Sequence, residues 1–125
     1  MEDNEWISQV RRGIVEFCIL ALISKKPTYG YEIVVSLQKW QHLAITEGAL
    51  YPLLRRLQKE RYLESFWQES ASGPPRKYYR LTQEGQLLLH AMSATWAELA
   101  KSISELLQYR EDGKDGQKDI YKNTQ

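Results

Sequence analysis

Apolar positions recur at steps of three and four along the first part of the chain, at Ile7, Val10, Ile14, Phe17, Leu20 and Ala21. That spacing returns a side chain to the same helix face on every turn, and it predicts a first helix from about Trp6 to Ser24. Lys25-Lys26-Pro27 ends it, since proline disfavours helical backbone in the residue before it. A second, shorter helix is expected from Tyr29 to about Trp40, with Tyr31, Val34, Val35 and Leu37 as its apolar side and Thr28 as its cap. Thr46 is expected to cap a third helix over residues 47 to 60. On that helix Leu50, Leu53, Leu54 and Leu57 share one face, and Tyr51, Arg55, Arg56 and Lys59 share the opposite one. Pro52 has no amide hydrogen and a ring that crowds the preceding turn, so a distorted first turn or a later start is expected.

The periodicity then changes. Residues 62 to 69 and 76 to 81 are short, aromatic-rich, strand-like runs, separated by Ser70-Ala71-Ser72-Gly73-Pro74-Pro75. The separator has the residue types of a hairpin tip, and the arm after it opens on Arg76-Lys77. Tyr78 and Tyr79 should divide between core and surface, because strand neighbours point to opposite faces. Thr82 is placed to cap a final long helix, with Glu84 favourable to the dipole of its first turn. Along it Leu89, Met92, Trp96, Leu99, Ile103 and Leu106 alternate steps of three and four, a heptad seam of the kind that pairs with a second copy. After Tyr109 the sequence turns polar and is expected to be a disordered tail.

The fold class expected is therefore mainly α with a small β-hairpin. Residues 1–81 form a winged helix-turn-helix body, 82–109 a C-terminal dimerisation helix and 110–125 the tail.

Charge adds a direction to this layout. The net charge of the 125 residues is +1, yet residues 11 to 81 hold twelve Lys and Arg against six Asp and Glu, and the two ends together are acidic. A basic middle suits a polyanion partner. The single cysteine, Cys18, lies in an apolar run, which leaves no intramolecular disulfide, no metal cluster and a core role for the thiol. His42 and His90 fall in different elements, without an Asp or Glu at metal-ligand spacing. No Gly-rich phosphate loop, nucleophile elbow or paired-carboxylate motif is present, so enzyme classes, metals and cofactors drop out of the reading. No apolar run has the length of a spanning helix and the acidic start is unlike a signal peptide, so a cytoplasmic protein is expected.

Helix, helix, basic helix, basic hairpin and helix is the order of a winged helix-turn-helix. In that plan the third helix enters the DNA major groove and the hairpin follows the backbone. Arg55, Arg56 and Lys59 on the helix, with Arg76 and Lys77 on the wing, make a patch suited to phosphates. The rival is a winged-helix protein-interaction module without specific DNA binding, which would not need that patch.

Three ordered segments then narrow the reading. Pro27-Thr28-Tyr29-Gly30-Tyr31-Glu32-Ile33, Gly48 to Leu57 and Arg76-Lys77-Tyr78-Tyr79-Arg80-Leu81-Thr82 resemble the signature segments of PadR-type transcriptional regulators. The short C-terminal helix resembles that of the smaller subfamily. The resemblance implies a homodimeric repressor on a two-fold symmetric operator in double-stranded DNA, and a family that tolerates the proline at position 52. It implies DNA-facing roles for Tyr29, Thr46, Tyr51, Arg55, Gly73, Arg76 and Lys77. It also implies dimerisation through the first and last helices, with Ile14 joining the seam residues, and a small aromatic effector near the dimer axis. Trp96 is the candidate for that effector, with ordinary interface packing as the equal alternative, and Phe17 and Met92 could line the same space.

Overall fold

The computed structural model describes residues 4 to 111, so the expected tail lies, from residue 112 onward, outside the described residues. Helix α1 spans Asn4–Ile23, strand β1 Thr28–Tyr29, and α2 Gly30–Leu37. A single 3-10 turn, Gln41–Leu43, precedes α3 at Glu47–Lys59. Strands β2, Leu63–Ser70, and β3, Gly73–Leu81, form the wing, and α4 runs from Gln83 to Gln108. The described residues thus form a mainly helical fold with one three-stranded antiparallel sheet in the order β1-β3-β2. The chain divides into two compact units, Met1–His90 and Ala91–Gln125.

Within the first unit the core is built from one face of each element. Ile19, Leu20 and Ile23 come from α1, Ile33, Val34 and Leu37 from α2, and Leu50, Leu54 and Leu57 from α3. Leu63, Tyr79 and Leu81 close it from the sheet. Each such side chain contributes on the order of 1.5–3 kcal/mol by leaving water. The buried part of α1 is its C-terminal end, while Ile7, Val10, Ile14 and Phe17 are partly covered. One expectation about this core is corrected. On α2 the inward face carries Ile33 with Val34 and Leu37, whereas Tyr31 and Val35 are exposed.

Two helix caps lie where the hydroxyls suggested. Thr46 Oγ1 accepts from the Ala49 amide at 3.2 Å, and Thr82 Oγ1 accepts from Gly85 at 3.0 Å. Thr28 does not cap α2: it lies in β1 opposite Tyr79, and its hydroxyl donates to the Lys26 carbonyl at 2.7 Å. Pro52 neither delays nor breaks α3, which starts at Glu47 and runs through it. Its missing hydrogen bond falls in the second turn, and the Leu50 amide still reaches the Thr46 carbonyl at 3.0 Å.

The end of α3 fixes where the wing departs. Tyr62 N–H donates to Leu57 O at 2.9 Å and Arg61 N–H to Gln58 O at 3.0 Å, the paired bonds of a Schellman ending. Arg61 occupies the left-handed position usually given to glycine, with φ 70°. Its carbonyl in turn accepts from the Thr82 hydroxyl at 2.6 Å, tying the end of α3 to the start of α4.

The wing tip is shorter than the expected six-residue separator. Ser70 pairs with Gly73, so only Ala71 and Ser72 turn the chain, and Pro74 and Pro75 lie inside β3. The register shifts between Gln68 and Ser70, which leaves both prolines opposite Glu69 as a bulge.

Candidate nucleic-acid interface

The site begins at the junction of β1 and α2. Tyr29 closes β1 opposite Tyr78, and Gly30 opens α2 with no side chain to fill the space above it. The ring of Tyr51, from the second turn of α3, occupies that space: a methyl group on Gly30 would stand 2.7 Å from two of its ring carbons. Burial, and then the Glu47 carboxylate, push the Tyr51 phenol above its ordinary pKa near 10. Tyr51 is therefore a neutral hydroxyl at any physiological pH, able to donate to an anionic oxygen.

Alternation along β3 divides the wing side chains between two faces. Arg76, Tyr78 and Arg80 share one, and they are held in a row of aromatic contacts. The Arg76 guanidinium lies 4.5 Å from the centre of the Tyr29 ring. Tyr29 meets Tyr78 edge-on at 5.3 Å, Tyr78 stacks on Phe66 at 5.8 Å, and Arg80 covers Phe66 at 4.6 Å. Arg80 also bonds Glu64 at 2.8 Å. On the other face Lys77 reaches over Tyr79, with its ammonium 5.9 Å from the ring centre. Tyr79 is core and Tyr78 half-buried, the division that strand geometry required. Burial raises the Tyr79 pKa; among the charges, Tyr51 also raises it and Arg55 lowers it.

Tyr29, Tyr51, Arg76 and Lys77 consequently line one open pocket of about 450 Å3, together with Gly30, Tyr31 and Tyr79. Arg55 and Lys59 extend from Tyr51 along α3 at successive steps of four, both exposed. Gly73 lies exposed at the wing tip, with open space where a Cβ would stand, and Thr46 stands at the N-terminus of α3 with its hydroxyl accepting the cap bond. Tyr31, expected in the core, is instead 57% exposed at the pocket rim.

Arg56 does not join this group. Its guanidinium bonds Glu16 of α1 at 2.8 Å and Glu60 at 3.2 Å, and the hydrogen bond to Glu16 is the first reason its pKa is raised. One helix position, about 100° of rotation, separates it from Arg55. The sequence pattern showed two adjacent arginines and no sign of Glu16 forty positions earlier.

On α4, Met92 is half-buried, Trp96 is 45% exposed, and Leu99, Ile103 and Leu106 are exposed. No helix among the described residues is long and apolar enough to cross a membrane.

The profile of the transcriptional regulator PadR-like family matches residues 19–91. The chain belongs to that family. The matched stretch contains every candidate interface residue from Tyr29 to Lys77 and the first seam residue, Leu89, whereas Met92, Trp96, Leu99, Ile103 and Leu106 lie beyond it. A PadR-like transcriptional regulator from Bacillus cereus is 38% identical, superposes with a TM-score of 0.75, and is matched over 82% of this chain and 99% of its own. A PadR family transcriptional regulator from Eggerthella lenta is 36% identical, with a TM-score of 0.75 over 86% of this chain and 93% of its own. An uncharacterized protein of Lysinibacillus sphaericus is 36% identical over 98 residues, 77% of this chain and 90% of that one. The expectation of a PadR-type winged helix therefore holds, and with it the reading of a transcriptional regulator rather than an enzyme.

Proposed function

We propose that this PadR-like regulator works in the cytoplasm as a homodimer that binds a two-fold symmetric site on double-stranded DNA and represses transcription, and that a small aromatic or drug-like molecule releases it. The observation that carries the reading is the meeting of Tyr29, Tyr51, Arg76 and Lys77 around one open pocket, with Arg55 and Lys59 continuing along α3. Hydroxyls and cations from a helix and a wing on one side of a small domain are what a duplex backbone requires. In the winged-helix plan α3 lies in the major groove and Arg76 and Lys77 follow the adjacent phosphates. Arg56 has no part in this contact.

Dimerisation through α1 and α4 is supported by the seam. Leu99, Ile103 and Leu106 expose large apolar side chains at heptad spacing, an arrangement costly in water and favourable against a copy of itself. Paired α4 helices would set two α3 helices on half-sites about 10 base pairs apart. Trp96 and Met92 in the seam, with Phe17 of α1, are the residues assigned to the releasing ligand.

The test is the affinity of the purified protein for the DNA upstream of its own gene, against scrambled DNA, across a salt series. Four cations per subunit on the proposed face, Arg55, Lys59, Arg76 and Lys77, predict a log-log slope of about −7 for the dimer at roughly −0.9 per phosphate. Weak binding of equal strength to both DNAs overturns the reading in favour of a protein-interaction module.

A further inference from the structure

A second cleft, on a different part of the same unit, lies between α1 and α3. Val15, Ile45, Ala49 and Leu53 form an apolar floor, Arg11 and Arg12 stand at its margin, and it measures about 450 Å3. That volume falls within the usual range for small-molecule sites, and an apolar floor with a few convergent polar groups is their usual composition.

The two arginines differ in state. Arg11 donates from Nε to the His42 carbonyl at 2.7 Å, which ties α1 to the 3-10 turn before α3. Arg12 is exposed and makes no ion pair or hydrogen bond with any described residue. Among the described residues, no carboxylate lines the cleft. Glu16, one turn along α1 from Arg12, is already taken by Arg56. Two cations beside an apolar floor, with no acid among the described lining residues, complement an anionic group attached to an apolar body.

We propose that this α1–α3 cleft is a binding site for an amphipathic organic anion, with the carboxylate or sulfonate held by Arg12 and Arg11 and the apolar body laid on Val15, Ile45 and Leu53. The site is distinct from the one assigned to Trp96. Binding there does not depend on the DNA reading; only its consequence does. Ala49 and Leu53 belong to α3, and the Ala49 amide is the one capped by Thr46. An occupant of the cleft therefore braces the helix proposed to enter the major groove and changes operator affinity.

The experiment uses the full-length protein without DNA and two fluorescent probes of similar shape, anilinonaphthalene sulfonate and the uncharged phenylnaphthylamine. Arg12→Gln, a surface change that leaves the core intact, should weaken the sulfonate probe about tenfold, the worth of one charge-assisted bond, and the neutral probe less than twofold. Leu53→Glu should weaken both, and Trp96→Ala should leave the Arg12-dependent component in place. Equal affinities of wild type and Arg12→Gln for the sulfonate overturn the proposal. So does loss of that component in Trp96→Ala, which would place the probe in the seam. A shift of Arg12→Gln from dimer to monomer in sedimentation, with probe binding unchanged, also overturns it by showing that a second copy covers the cleft.

Discussion

The ring of Tyr51 lies against the Cα of Gly30, closer than any side chain at position 30 would allow. The contact joins the first residue of α2 to the second turn of α3 and sets where the Tyr51 hydroxyl points. A methyl group added at position 30 meets a movable ring rather than backbone. Gly30→Ala should therefore displace Tyr51 at little cost to folding, with the better helix propensity of alanine offsetting part of the strain. The expected result is a melting temperature within a few degrees of wild type and DNA affinity reduced roughly as much as by Tyr51→Ala. In a double-mutant cycle Gly30→Ala should add almost nothing once Tyr51 is alanine. Additive losses would mean that position 30 acts on DNA by another route.

Arg55 and Arg56 should separate cleanly. Arg55→Ala is expected to weaken operator binding and to reduce the magnitude of the salt slope by about 1 per subunit, with stability unchanged. Arg56→Ala should leave that slope alone and cost about 0.5 kcal/mol, the modest worth of partly exposed ion pairs. Titrations of both variants at several salt concentrations, with urea unfolding alongside, make the comparison.

The buried phenol of Tyr79 gives stability an alkaline limit. Its folded pKa is raised above the ordinary value near 10, mainly by burial, so folding favours the protonated form. That contribution is fully present below the unfolded pKa and is lost as pH rises through the folded one. Stability should fall steeply above about pH 10, and Tyr79→Phe, which has no proton to lose, should flatten the fall. An unchanged alkaline limb in the variant would assign it to other groups.

Arg61 holds a left-handed conformation at a helix ending built for glycine. Arg61→Gly should raise stability by about 1 kcal/mol, read from the urea midpoint at constant slope. Because the Thr82 bond uses only the Arg61 carbonyl, it survives the change.

The seam on α4 predicts oligomeric state. Ile103→Glu places a carboxylate at a position that is 48% exposed in the single chain, so the chain should still fold while sedimentation equilibrium shifts towards monomer. A variant that remained fully dimeric would move the interface off α4.

What the sequence made legible was local. Thr46 and Thr82 could be placed as caps because a cap depends on one hydroxyl and an amide three residues on. The exposed face of α3 followed from the leucine spacing, which places Leu50, Leu54 and Leu57 in the core on the opposite side of the same helix. The misreadings all depended on distant partners. Thr28 carried a cap's chemistry, yet a β3 residue fifty positions later makes it strand. Ile33 and Tyr31 are each compatible with the inward face of so short a helix, and the sheet and α3 decide between them. The pairing of Arg56 with Glu16, forty positions away, was equally hidden from the pattern on α3.

The proline pair at the wing bears on solubility as well as shape. Strand β1 covers β3 only at Tyr78 and Tyr79, so from Gly73 to Lys77 the strand is paired on one side alone. An open backbone edge of that kind is a template on which a stray strand can add. Pro74 and Pro75 have no N–H to offer such a strand, and Arg76 and Lys77 follow with charge. The edge proposed to face a nucleic acid is thus guarded against strand-by-strand aggregation by the chemistry of its own backbone.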